Sequence, residues 1–210
     1  NVHPAPERGR RCGGDALPLA GLRFTWRVGS GTGGAVGTEP LAVRAGKRAV
    51  NPFEFLALSS DPQDQKNCAA LWVADKYPGS PAPIRRTGLS ADRKIRIAYL
   101  SADFRNHAVA QTLVGVVEHH DSARFETIGV GWGTDDGSEM RRRLSGAFSR
   151  FIDVERQDDS QVARGLRDMG IDIAVDLMGF TAESRTGILA ARAAPIQVNY
   201  LGFPSTMNSP

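Results

Sequence analysis

Cysteine is almost missing from this chain. Cys12 and Cys68 are the only two among 210 residues, too few for a disulfide-stapled fold. Long apolar runs are missing as well. None approaches the roughly 18 residues that a membrane-spanning helix needs, and no secretory apolar core is present. These absences predict a protein outside the membrane, in a reducing, cytoplasmic setting. No His/Cys spacing of the zinc type exists, so no metal site is expected. A clustered excess of positive charge is also lacking over most of the chain. Residues 1–48 hold eight Lys and Arg against three Asp and Glu, while the rest holds 18 against 20. The basic balance therefore belongs to the first stretch, and the remainder offers no electrostatic case for nucleic acid. The triplet Arg141-Arg142-Arg143 reads as a solvated helix face.

What is present is an ordinary globular composition, 41% hydrophobic and 23% charged. That excludes full disorder, collagen and coiled coil. The length suits one ordinary domain with a buried core, or a domain plus an appendage. The chain opens on Asn1, which fits a fragment of a longer protein.

Three regions follow from texture. Residues 1–48 hold ten of the 23 glycines and little periodicity, so they read as an atypical, poorly ordered segment. Residues 49–92 read as a helical lead-in and linker. Asp61 is a good N-cap and Pro62 suits a first helical position, with Cys68, Leu71 and Trp72 sharing a buried face. Pro78, Gly79, Pro81 and Pro83 end that helix. Residues 93–210 alternate strands with helices. Strands are expected at Ile95–Leu100, Thr127–Trp132, Phe151-Ile152, Ile171–Leu177 and Ile196–Leu201. Helices are expected at about His107–His120, with Val109, Leu113, Val116 and Val117 inward, and at Ser138–Phe148 and Asp158–Met169. This alternation implies βαβ units and a parallel sheet covered on both faces, a Rossmann-like α/β domain. Ligands in such sheets bind beyond the carboxyl ends of the strands. Here those ends are Ser101–His107, Gly131–Gly137, Met178–Arg185 and Gly202–Asn208.

Each candidate motif has a bland reading beside the functional one. Gly29-Ser30-Gly31-Thr32-Gly33-Gly34 matches G-x-G-x-x-G, but no helical pattern follows, so a flexible Gly-rich segment fits better. Asp103 and His107 are four apart where the first strand opens into a helix. A carboxylate and an imidazole there can converge for proton transfer; equally, Asp103 can cap a turn and His107 sit on the surface. His119-His120 reads as a cation pair at a helix end rather than a metal site. Asp135-Asp136-Gly137 reads as a turn and cap. Asp176 either contacts a ligand or caps its own loop. Gly179-Phe180-Thr181 and Gly202-Phe203-Pro204-Ser205-Thr206 read as tight loops at the cleft.

Taken together, these segments are recognisable. Ile97-Ala98-Tyr99-Leu100-Ser101-Ala102-Asp103-Phe104-Arg105-Asn106-His107 resembles the opening of the catalytic region of protein O-linked N-acetylglucosamine transferases. Asp176-Leu177-Met178-Gly179-Phe180-Thr181 and the stretch from Ala193 through Thr206 are similar to two further segments of that family, in the same order. Asn51-Pro52-Phe53-Glu54-Phe55-Leu56-Ala57-Leu58 resembles the lead-in of bacterial members. The resemblance implies a two-lobed GT-B glycosyltransferase, usually preceded by tetratricopeptide repeats. It implies a nucleotide-sugar donor, normally UDP-GlcNAc or GDP-fucose in the SPINDLY branch, Ser/Thr acceptors on proteins, and no metal or cofactor. This chain resembles the first lobe only, without the repeats or the second lobe. On this resemblance His107 is the candidate general base, Asp103 assists it, and Gln111, Thr181, Pro204 and Thr206 are candidate substrate contacts. The sequence departs from the family at Gln111, where a second His often stands, at Ala108-Val109 in place of Pro-Thr, and at Met178 in place of a polar residue. Two other readings stay open: a nucleotide- or dinucleotide-binding module without transfer activity, and a lobe that only binds partners.

Overall fold

The computed structural model describes residues 38–79 and 93–208. The Gly-rich motif at 29–34 and most of the linker, 80–92, lie outside the described residues. Among the described residues five strands form one wholly parallel sheet. They are β1 (Ile95–Ser101), β2 (Phe125–Gly131), β3 (Arg150–Asp153), β4 (Ile173–Asp176) and β5 (Ile196–Asn199), in the order β3-β2-β1-β4-β5. The helices are α1 (Glu39–Arg44), α2 (Pro52–Phe55), α3 (Pro62–Lys76), α4 (Ala108–Glu118), α5 (Glu139–Ala147), α6 (Asp159–Asp168) and α7 (Gly187–Ala190). Chain order and spatial order reverse between β1 and β4. That is the switch point at which open α/β sheets hold ligands.

Strand alternation divides the core in two. Ala98, Leu100, Ile128, Val130 and Ala174 point to one face and pack with Val162 and Leu166 of α6 and Ile188 of α7. Ile97, Tyr99 and Val175 point to the other, with Leu113 and Val117 of α4 and Leu144 of α5. Fully burying a side chain of this kind contributes about 1.5–3 kcal/mol. Both faces are covered, which is why the strands read as nearly continuous apolar runs.

The helix starts follow from local chemistry. Asp61 accepts from Gln63 N at 2.7 Å and Pro62 follows it. Ser138 caps α5 through Arg141 N at 3.1 Å. Asp158 and Gln161 exchange hydrogen bonds of 2.8 and 2.9 Å in a capping box that opens α6.

Five expectations change. Within the stretch read as poorly ordered, Glu39–Arg44 is a helix held on α3. Arg44 grips Asp64 with contacts of 2.6–3.1 Å, and Ser59 Oγ donates to the same carboxylate at 3.0 Å. On α4, Val116 is exposed, and Ala110 and Val114 take the inward positions. The arginine triplet is not one solvated face, because Arg141 is buried and donates to Phe104 O at 3.0 Å. His120 is no exposed cation. It bonds Tyr99 Oη at 2.8 Å, lies against the Phe125 ring, and burial lowers its pKa. Tyr200 and Leu201 leave the last expected strand, since Leu201 adopts a left-handed φ of 69°.

The lead-in joins the sheet domain through apolar and polar contacts. Ala69 of α3 packs with Phe180 and Phe203. Tyr77 and Thr186 share a hydroxyl bond of 2.8 Å, and Ser205 Oγ donates to Gln65 at 3.1 Å. Cys68 faces away from that junction, in a cluster with Val43 of α1 and Phe55 of α2. Its Sγ donates to Val50 O at 3.7 Å, and burial pushes the thiol up to about 11.

Candidate functional site

β1 ends at Ser101, and the loop that follows is pinned from several sides. Ser101 Oγ accepts from Asp103 N at 2.9 Å and donates to Met178 Sδ at 3.2 Å. Phe104 is fully buried, edge-on to Phe148 and Phe151 at 5.5 and 5.8 Å between centroids. Its neighbours Asp103 and Arg105 are thereby held at the rim. The β2 loop closes on the same segment. Asn106 N donates to Asp136 Oδ2 at 2.8 Å, and Gly133 passes so near the Ala102 carbonyl that no Cβ fits between them. The Asn106 bond and the Ser138 hydroxyl and amide hold the Asp136 carboxyl at about 2.

His107 then starts α4. It is extended, with φ −142° and ψ 154°, and its Nδ1 accepts from Val109 N at 3.2 Å. An imidazole serving as N-cap through Nδ1 carries its ring proton on Nε2. Asp103 Oδ2 lies 3.5 Å from the same Nδ1. One nitrogen thus faces two partners, a donor on the helix and an acceptor on the loop. The other Asp103 oxygen is 3.4 Å from Arg105, which also reaches Glu183 at 3.2 Å. Asp103 is mostly buried, whereas the His107 side chain is 43% exposed.

These groups line a cleft of about 410 Å³, together with Val109, Thr181, Gly202 and Phe53. Asp176 ends β4 and opens the loop that carries Thr181 to the cleft. That carboxylate accepts from Met178 N at 2.9 Å and Gly179 N at 3.1 Å. Gly179 turns there with φ 60° while Phe203 packs against it, a position that favours glycine. Of the two readings of Asp176, the structure takes the loop cap.

The structure brings Asp103, His107 and Thr181 together. Thr181 Oγ1 donates to Met178 O at 2.9 Å. Gln111 is exposed on α4 and donates to Asn106 Oδ1 at 3.2 Å, outside the cleft lining. Thr206 lines a separate cleft of about 1010 Å³, and Pro204, exposed, lines neither. Sequence reasoning missed Arg105 and Glu183 as lining residues, although both stand in loops nominated from the strand ends. Asp136 was read as a local cap; its bond to Asn106 spans 30 residues. Among the described residues no cluster of His, Cys, Asp and Glu could hold a metal ion. Likewise, no helix among them is long and apolar enough to cross a membrane.

The parallel sheet, covered by helices and carrying an Asp–His pair at its switch-point cleft, is an α/β lobe of the Rossmann-like class. Glycosyl transferase family 41 matches residues 81–210. The chain belongs to that family. Over 173 residues it is 30% identical to the Arabidopsis thaliana protein named "Probable UDP-N-acetylglucosamine--peptide N-acetylglucosaminyltransferase SEC", covering 75% of this chain and 17% of that one. It is 32% identical over 122 residues to the Caenorhabditis elegans UDP-N-acetylglucosamine–peptide N-acetylglucosaminyltransferase, covering 58% and 11%. A solved structure of a lysine-to-methionine mutant of the Thermobaculum terrenum O-GlcNAc transferase superposes with a TM-score of 0.69 at 30% identity. That match covers 75% of this chain and 31% of the solved one. The chain thus spans less than a third of these relatives, and the sheet described above matches the first lobe of a GT-B fold.

Proposed function

We propose that this lobe forms the acceptor-side half of a transferase site that moves N-acetylglucosamine from UDP-GlcNAc to Ser or Thr hydroxyls of proteins. The observation that carries the reading is the Asp103–His107 pair on the 410 Å³ cleft, in a chain whose relatives are named for that donor and a peptide acceptor.

The chemistry follows from the ring. A hydroxyl is a poor nucleophile until its proton is taken as it attacks. His107 takes that proton at Nε2, the acceptor oxygen bonds to the anomeric carbon, and the bond from that carbon to the diphosphate oxygen breaks. UDP leaves with the electron pair. Nε2 can accept only when Nδ1 holds the ring proton. The imidazole must therefore release Val109 N and turn its Nδ1–H toward Asp103, 3.5 Å away. Asp103 stabilises the imidazolium that results. Arg105, shared between Asp103 and Glu183, keeps Asp103 in place. Thr181, whose proton is engaged by Met178 O, offers lone pairs to a sugar hydroxyl. Charge on the departing diphosphate is met by groups outside this lobe, and no metal or cofactor enters the step.

The test is His107→Ala and Asp103→Asn in the full-length protein that carries this lobe, following transfer of radiolabelled GlcNAc to a Ser/Thr peptide. General-base loss lowers kcat by about 10²–10⁴, with UDP-GlcNAc affinity retained. Asp103→Asn gives a smaller fall. An unchanged kcat for His107→Ala sinks the assignment.

A further inference from the structure

The loop after β4 carries a residue that its backbone does not suit. Glu183 stands in a left-handed conformation, φ 59°, a region that glycine enters freely and few other residues adopt. A group from another strand end holds it there: Trp132 Nε1, just past β2, donates to the Glu183 carbonyl at 2.8 Å. The indole is itself braced by Arg185, whose guanidinium lies 5.6 Å from the ring centroid. Arg185 is anchored in turn on Asp159 at 2.7 Å and on the Val154 and Gln157 carbonyls at 3.1 and 2.6 Å. That cation is engaged elsewhere, and the Glu183 side chain pairs with Arg105 in the cleft lining. Stability does not account for the arrangement. The Glu183 side chain is 55% exposed, and an exposed ion pair contributes little. Backbone conformations of this kind collect at functional sites.

The pairing bears on His107. One nitrogen, Arg105 Nη2, is shared by two carboxylates: it is 3.2 Å from Glu183 Oε2 and 3.4 Å from Asp103 Oδ1. The second Asp103 oxygen faces His107 Nδ1 at 3.5 Å. Among the residues lining this cleft, Asp103, Arg105, His107 and Glu183 are the charged or titratable ones. The β2 loop brings Asp136 to the same segment, bound to Asn106 N and Ser138 N at 2.8 and 3.1 Å. Asp176 is bound to two amides of its own loop. Two carboxylates against one guanidinium leave one negative charge before the imidazole. Without Glu183 that balance falls to zero, because a guanidinium facing a single carboxylate closes on it with two parallel hydrogen bonds.

We infer that Glu183 is a positioning residue for the proton transfer: it holds Arg105 back from Asp103, so that Asp103 keeps its charge for the His107 imidazolium. This rests on the transferase reading above. Arg105 then anchors Asp103 without neutralising it. Three strand ends cooperate, with Asp103 and Arg105 following β1, Trp132 following β2 and Glu183 following β4.

The test uses the full-length protein that carries this lobe and the same transfer of radiolabelled GlcNAc to a Ser/Thr peptide. Glu183→Gly removes the carboxylate at a position whose backbone suits glycine, so the fold is kept. Glu183→Gln keeps the length of the side chain and removes its charge. A thermal melt checks both, and Glu183→Gly is expected to melt at or above the wild-type temperature. Both variants are expected to lower kcat about tenfold while KM for UDP-GlcNAc stays unchanged, as for an interaction made only in the transition state. Arg105→Met removes the competing cation, so adding Glu183→Gln to it is expected to change kcat less than about twofold. Losses that multiply in the double variant overturn the inference, since Glu183 would then act by another route. A raised KM with unchanged kcat overturns it in favour of a substrate contact. Wild-type kcat in a folded Glu183 variant, with His107→Ala inactive, overturns this inference and leaves the transferase reading standing. Wild-type turnover in His107→Ala removes that reading, and this inference with it.

Discussion

Replacing Asp176 by Asn tests the balance of forces beneath the candidate site. The Asp176 carboxylate holds Met178 N and Gly179 N at 2.9 and 3.1 Å while only 5% exposed. Burial disfavours the anion and the two N–H groups favour it. Burial is the larger influence, and the carboxyl is pushed up to about 6. An Asp in the unfolded chain titrates near 3.9, and one unit corresponds to about 1.36 kcal/mol, so the gap is worth about 3 kcal/mol. Because the folded pKa is the higher one, the folded state keeps the proton longer. The stability from this group is complete below about pH 4 and is lost as the pH rises through about 6. Asp176→Asn removes the titration and keeps one oxygen for Met178 N. It leaves Gly179 N without its acceptor, which costs about 1–3 kcal/mol at every pH. The variant is therefore the less stable protein at pH 4, and the difference shrinks by about 3 kcal/mol by pH 7, to equality or reversal. Urea unfolding followed by circular dichroism at half-unit steps from pH 4 to 7.5 measures it. With m near 2 kcal/mol/M, the gap between midpoints moves by about 1.5 M. A gap independent of pH refutes the reasoning. A gap that widens in favour of the wild type as the pH rises also refutes it, and shows that the two N–H groups outweigh burial.

Two further outcomes are expected. Arg141→Met loses the bond to the Phe104 carbonyl at 3.0 Å and the stack over Phe151 at 4.4 Å, and should cost about 2–4 kcal/mol in urea unfolding; a cost under about 0.5 kcal/mol would show that the contact adds nothing. The Asp136 carboxyl is depressed, so the support it lends to Asn106 is complete above about pH 4 and lost as the pH falls through about 2. A carboxyl resonance titrating above about 3.5 contradicts that.

Much of the fold was legible because both faces of the sheet are buried. Apolar runs bounded by capped, periodic helices left little choice about the strands, and the capping residues Asp61, Ser138 and Asp158 stand where their helices begin. Two short helices escaped. α1 and α7, of six and four residues, are too brief to show a period, and packing rather than propensity holds them. Val116 misled for a related reason: an apolar residue on α4 was assigned inward, but only part of that helix meets the sheet. At the site, Asp103 and His107 were readable because they stand four positions apart where β1 gives way to α4. Their supports were not. Asp136 on Asn106, Glu183 on Arg105 and Phe53 at the rim come from distant segments that only the sheet order brings together. Arg141 was hidden inside a run of three arginines, two of which do face solvent.

Cys68 gives the lead-in a clock of its own. A thiol that is 2% exposed and titrates near 11 reacts with a disulfide reagent only when α1–α3 part from one another. Its labelling rate, read on the Cys68 peptide by mass so that Cys12 is counted separately, then reports how often that layer opens. The same layer carries Lys66, Gln65 and Tyr77, which face the sheet domain. Anything that ties α3 to β5 or to the Thr186 turn will slow the reaction at a sulfur it never touches.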